Sequence, residues 1–190
     1  LVERAMTVAA KEARAFIAHY YEQVDPEDLA NRNPEDLYGA AMAHLAFARR
    51  FSSGTPKLRV YNPRTAEHGW SSPHTVIEVV NDDMPFIVDS LSMTANRCGM
   101  TVELTIHPVF RVRRDASGRL LEILPRDAEE GALESFVHME VDRETDAAEQ
   151  AISLWQGLWE QYSACLKPLL EGDVDLQGVK AKLLQRGLYV

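Results

Sequence analysis

Cysteine is nearly absent: the chain has two in 190 residues. Cys98 and Cys165 lie far apart on two predicted helices, which excludes a disulfide framework and predicts reduced core thiols in a cytosolic protein. No metal-ligand spacing surrounds them. No apolar run approaches the ~20 residues that span a bilayer, and no signal peptide is visible, so a soluble cytoplasmic protein without a membrane partner is expected. Basic residues are scarce too. The net charge is −9, and ARRF and RVRR are the only basic clusters, which argues against a nucleic-acid partner. RVRR falls in a predicted hairpin and reads as a solvated face. The motifs G-x-S-x-G, Walker A and G-x-G-x-x-G are missing, as are a helical H-x-x-x-H pair and an EF-hand loop. The expectation is no catalytic residue, no metal and no cofactor held by these residues. The chain also starts at Leu1, in mid-helix by its pattern, as a piece cut from a longer polypeptide would.

What is present is a packed core: 46% of the residues are apolar, enough to exclude a disordered tail. The organising stretch is Thr75 to Ile106. TVIEVV reads as a strand ending at Val80, and the chain then turns through Asn81-Asp82-Asp83. Pro85 starts a helix, with Asp82 or Asp83 capping its free N–H groups. Met84, Ile87, Val88, Leu91, Ala95 and Cys98 recur at intervals of three and four on one helical stripe. Gly99 ends the helix. TVELTI alternates as a second strand with one buried face. The unit is βαβ, and its two strands are expected to adjoin and run parallel in one sheet, with the helix on one face.

Before this unit, residues 1–22 read as a helix broken at Asp25-Pro26. Asn33, Pro34, Glu35 and Asp36 then signal a new helix, running through Leu37, Ala41, His44 and Ala48 to about residue 52. A short strand at Leu58 and Val60 and a loop carrying Trp70 follow, the Trp packing on the core or covering a pocket. After the unit, Pro108 interrupts the second strand. Phe110 to Val112 and Leu120 to Leu124 form a hairpin, and Ser135 to Asp142 alternates as a further strand. Asp146 and Glu149 open a long helix with Trp155, Leu158 and Trp159 on its stripe. A final helix covers about 175–185. The pattern predicts an α+β protein: a ferredoxin-like βαββαβ sandwich with an N-terminal helical hairpin and an extra C-terminal helix. Residues 1–55 are a helical extension, 56–171 the α/β domain and 172–190 a second helical extension. One sheet strand is missing from its expected place, and either the Leu58 strand replaces it at the edge or it is lost.

The acidic turn is the candidate site. Asp82, Asp83 and Asp89 cluster there, with helix capping as the plainer reading. Backbone N–H groups at a helix start favour a carboxylate, and Asp82 or Asp83 can accept from an ammonium group, a pairing that suits a zwitterionic amino acid. The effector-binding set is Asn81, Asp82, Asp83, Met84, Pro85, Phe86, Ile87 and His107. The histidines His68, His74, His107 and His138 are scattered, and each alone reads as structural.

The run LYGAAMAHLAFARRF, the phrases KLRVYNP, EHGW, SPHTV, VNDDMPF, VDS and HPV, and ESFVHMEVDRETD, together covering about residues 37–146, resemble the N-terminal region of the large bacterial NAD-dependent glutamate dehydrogenases. That family carries ACT-type domains, ferredoxin-like modules associated with amino-acid-responsive regulation, ahead of its catalytic domain. NDDMPFIVDSL is similar to the D-x-P-G-x-L turn of ACT domains, with Asp83, Pro85 and Leu91 at or near the matching places and Phe86 where many ligand-binding members have Gly. The resemblance implies a regulatory ACT-like domain with an amino-acid effector as partner. The further partners it implies are the downstream ACT-like and catalytic domains of the same chain and a homo-oligomer. The alternative it leaves is a ligand-free scaffold that holds domains and subunits together. It also implies a parent enzyme that converts L-glutamate to 2-oxoglutarate with NAD as cofactor, its catalytic residues lying outside this sequence.

Overall fold

The computed structural model describes residues 12–97 and 99–143. Cys98, Cys165 and the helices expected after Asp146 lie outside the described residues. The first helix, α1, is described over residues 12–20. Asp25 does not simply break the chain: its side chain accepts from Glu27 N and caps a short helix, α2 (Pro26–Ala30). Asn33 caps Glu35 N at the head of α3 (Pro34–Ala48), with Pro34 in its first turn as expected. The loop carrying Trp70 contains a further short helix, α4 (Thr65–His68), closed by Gly69 in the left-handed conformation.

Six strands form one sheet: β1 (Lys57–Tyr61), β2 (Thr75–Asp82), β3 (Val102–Ile106), β4 (Val109–Arg114), β5 (Leu120–Leu124) and β6 (Ala132–Val141). The order is β1-β2-β6-β4-β5, with β3 also paired to β6. Every pairing is antiparallel. β2 and β3 therefore run parallel, but they do not adjoin: β6 lies between them, pairing Ile77 with Met139 on one side and Met139 with Thr105 on the other. The crossover rule constrains direction and hand within a sheet and leaves room for an intervening strand, which is the split βαβ arrangement of ferredoxin-like folds. β1 takes the outer place beside β2, so the Leu58 strand occupies the edge. Pro108 separates β3 from β4, yet both keep to one edge of β6, because Phe136 N donates to Pro108 O at 2.9 Å across the break.

Both sheet faces are buried. On one, helix α5 (Ile87–Arg97) sets Ile87, Leu91 and Ala95 against Ile77, Val79, Val137 and Met139. Val88 packs at the margin on the helical stripe, and Met84, expected on the same stripe, reaches the core from the turn ahead of the helix. On the other, α1 and α3 lay Phe16, Tyr20, Ala41 and Ala48 over Val80, Phe110 and Phe136. Two-sided burial explains why TVIEVV and SFVHMEV contain so few exposed positions.

Candidate functional site

At the turn, β2 extends to Asp82 and α5 begins at Ile87 rather than Pro85. The cause lies at Phe86, whose φ of 66° makes it the one non-glycine residue in the left-handed region among those described. A residue held there cannot continue the right-handed helix, so α5 starts one residue later, with Ser90 N donating to Phe86 O at 3.0 Å. The carboxylates do not cap the helix. Asp82 Oδ2 accepts from Ser53 Oγ at 3.0 Å and Gly54 N at 2.6 Å, tying the turn to the α3–β1 linker. Asn81 is buried and donates from Nδ2 to Asp82 O. Asp83 N donates to Leu133 O, and Asp83 Oδ1 accepts from Ser135 Oγ at 2.7 Å. Ser135 Oγ lies 3.1 Å from His107 Nε2, so this buried serine joins His107 to the turn.

In the sequence Ser135 reads only as the first residue of an alternating strand, with nothing to mark it as a site residue. Its one proton goes to Asp83, so His107 Nε2 must donate. Serine, histidine and aspartate thus stand in the wrong order for a histidine base to activate the hydroxyl. Burial lowers the His107 pKa, with Asp83 opposing. Met84 and Phe86 are half-buried, Pro85 exposed and Ile87 buried.

A second constellation lies on the α3 face of the sheet. The register sets Arg59 opposite Glu78 and Glu78 opposite His138. Arg59 Nε donates to Glu78 Oε2 at 2.6 Å, and the Tyr61 hydroxyl donates to Glu78 Oε1 at 3.1 Å. The His138 ring lies between two carboxylates, Nδ1 3.5 Å from Glu78 and Nε2 3.5 Å from Glu140. Arg32, from the α2–α3 connection, donates Nη1 to both oxygens of Glu140 at 2.8 Å. The result is a row of alternating basic and acidic side chains, Arg59, Glu78, His138, Glu140 and Arg32, inside the protein.

The protonation states follow from this row. Burial pushes the Glu78 carboxyl up, but the His44 and His138 rings and Arg59 outweigh it and hold the pKa at about 2. Burial likewise opposes Glu140, where His138 and Arg32 prevail, again at about 2. Burial lowers the His138 pKa, and the two flanking carboxylates more than reverse that, so it is raised. His44 is the opposite case: burial drives its pKa down to about 4. Its Nε2 lies 3.2 Å from Val79 O, a pure acceptor, and its Nδ1 2.8 Å from the Tyr20 hydroxyl, which fixes the neutral Nε2–H tautomer.

His44, Glu78 and His138 bring ligand atoms within 4.8 Å of one another. They do not fit a divalent metal: both His44 nitrogens are spent, and Arg59 already lies on Glu78. Above the end of the row is a cavity of about 300 Å³ between the start of α3, the loop through Trp70 and strands β3 and β6, with His138 and Glu140 in its wall. Trp70 is 2% exposed, so it packs on the core and also walls this cavity. Alternation along β6 gives Phe136, His138 and Glu140 one common face, opposite Val137, Met139 and Val141. The overlooked signal was Glu78 in the middle of a continuous apolar run, since a charge there needs a buried partner.

Three comparisons with known proteins bear on this geometry. The family described as "Glutamate dehydrogenase, ACT1 domain" matches residues 16–154. The NAD-specific glutamate dehydrogenase of Halomonas elongata is 44% identical over 143 residues, 74% of this chain and 9% of that protein. The NAD-specific glutamate dehydrogenase of Pseudomonas aeruginosa is 36% identical over 143 residues, with the same coverage. The chain thus spans 9% of the length of the curated relatives it matches. No solved structure matches it.

Proposed function

Since this chain belongs to the ACT1 domain family of glutamate dehydrogenases, we propose that it is the regulatory module of such an enzyme and senses an amino-acid effector at the turn between β2 and α5. The observation that carries this reading is the backbone at Phe86. Its positive φ keeps the left-handed bend that glycine would adopt freely, so the turn retains its shape without the usual residue. Asp83 is exposed at the bend, with one carboxylate oxygen on Ser135 and His107 behind it. An ammonium group can pair with Asp83, while the N–H groups opening α5 face a carboxylate.

On this reading the parent polypeptide deaminates L-glutamate with NAD, and the chemistry belongs to its remaining part. These residues do not fit a dinucleotide, because the sequence has no G-x-G-x-x-G turn for its phosphates. The second reading is a scaffold that packs against neighbouring domains or subunits without a ligand. Two observations favour it: a bulky residue, Phe86, stands at the positive-φ position where glycine would allow a close backbone approach, and Asp82 is spent on Ser53 and Gly54.

Thermal melting with a panel of amino acids separates the two. A ligand at a hundredfold excess over its Kd adds about 2.7 kcal/mol and raises Tm. Sensing at the turn predicts a rise for one or a few amino acids that disappears in Asp83→Ala. No rise with any of them supports the scaffold, and a rise that survives Asp83→Ala moves the effector elsewhere.

A further inference from the structure

We propose that the outer face of α3 is a self-association seam, packing antiparallel on the same face of a second copy of this chain about a two-fold axis at Met42. The helix buries Ala40, Ala41, His44 and Ala48 against the rest of the protein. On its opposite side Glu35, Tyr38, Met42, Ala46 and Arg49 recur at intervals of three and four, which aligns them in one stripe. Met42 is half-buried and the other four are exposed. Tyr38, a large aromatic, is 54% exposed.

The order of the stripe selects its partner. Glu35 and Arg49 stand at equal distances on either side of Met42, and so do Tyr38 and Ala46. Two copies laid antiparallel about Met42 therefore set Glu35 of each against the partner's Arg49, and Tyr38 of each against the partner's Ala46, large on small. Such an isologous contact closes on itself as a dimer. An acid at the start of a helix and a base at its end also suit the dipole. The dipole, however, requires neither the outer stripe nor equal spacing from its centre. Among the described residues neither Glu35 nor Arg49 forms an ion pair, so both charges are available to a partner.

The shape beside the stripe fits the same partner. An open groove of about 630 Å³ lies between α3 and α4, lined by Tyr38, Gly39, Met42 and Ala43 on one side and His68 and Gly69 on the other. The two-fold brings the partner's Leu45 and Ala46 over this groove and does the reverse on the other copy, so one contact covers both grooves. With 15 residues in the helix the seam is about 22 Å long. That is at the low end of specific interfaces and suits a micromolar association.

Sedimentation equilibrium of the 190-residue chain tests the seam, and a monomer–dimer equilibrium is expected. Glu35→Arg and Arg49→Glu should each weaken it about tenfold or more, because either reversal turns two attractive pairs repulsive at once. Mixing these two variants one to one should restore the dimer. One copy then carries a base at both ends of the stripe and the other an acid at both ends, so both pairs attract again. Glu35→Arg combined with Arg49→Glu should dimerise like the wild type although the helix dipole disfavours both changes, a ranking that loss of folding cannot produce. Met42→Lys sets like charges across the axis and should also abolish the dimer, which covers the case in which a reversal at a helix end does not fold. Asp83→Ala should leave the dimer intact, so the seam and the effector turn succeed or fail separately. A monomer up to about 500 µM, a dimer indifferent to both single reversals, or a mixture that stays monomeric would overturn the proposal.

Discussion

Among the described residues, Phe86 carries the clearest single-residue strain. Its φ of 66° places a bulky aromatic where L-residues lose roughly 1–2 kcal/mol against the ordinary regions. Replacing it tests the strain if two variants that both lose the ring are compared. Phe86→Gly escapes the steric cost and Phe86→Ala retains it, less the roughly 0.4–1 kcal/mol by which glycine loosens the unfolded chain. Phe86→Gly should therefore unfold at higher urea than Phe86→Ala, by about 1 kcal/mol. Equal midpoints would mean that the bend relaxes once the ring is gone. The residue type at this position is plain in the sequence, but its conformation is not, because only the closure of β2 onto α5 forces the backbone there.

Among the elements, the seam between α3 and the Trp70 loop is set by close approach. A Cβ built on Gly39 would overlap Trp70 Cβ, so the helix carries glycine in its middle to let the loop lie down. Gly→Ala inside a helix is ordinarily stabilising by roughly 0.5–1 kcal/mol. Here the sign should reverse, with Gly39→Ala losing about 1–3 kcal/mol in urea unfolding through overpacking and displacing the Trp70 indole resonance.

The β1–β2 pairing makes a different demand. Arg59 and Glu78 face each other in register, the carboxylate fully buried and the guanidinium side chain 31% exposed. Arg59→Met strands a buried charge and should cost about 2–3 kcal/mol, less than a fully buried pair because water still reaches the arginine. Arg59→Met combined with Glu78→Leu removes both charges and should be the more stable of the two variants. A double-mutant cycle by urea denaturation measures the coupling, and additive losses would show that the pair acts independently.

For the whole molecule, the buried titratable groups shape stability against pH. His44 has its folded pKa lowered to about 4, so between pH 6.5 and 4 the unfolded chain binds a proton that the folded chain refuses. Stability therefore falls on acidification through that window, by up to about 3 kcal/mol. Glu78 and Glu140, held at about 2, contribute stability present above about pH 4.5 and lost as pH falls toward 2. His138 is raised, so its contribution is complete below pH 6.5 and is lost as pH rises through its folded pKa. Urea midpoints across pH should show a maximum flanked by losses on both sides. His44→Gln, which can still donate to Val79 O, should flatten the limb between pH 6.5 and 4. An unchanged slope there would remove His44 as its cause. Among the described residues no helix is long and apolar enough to cross a membrane.

Local chemistry along the chain was sufficient for much of this. Asn33-Pro34 at the head of α3, the three-and-four spacing of Ile87, Leu91 and Ala95, and Gly99 with its φ of 76° are all determined within a few residues of themselves. Caps, periodicity and backbone freedom are short-range effects, and the ferredoxin-like pattern is their sum. The partner of each strand was decided only in the folded molecule. β6 separates β2 from β3, β1 takes the outer edge, Ser135 links His107 to Asp83, and five titratable side chains meet on one face. Those outcomes depend on contacts across long stretches of chain, where hydrogen-bond register and the need to pair buried charge select among arrangements that local preference leaves equal.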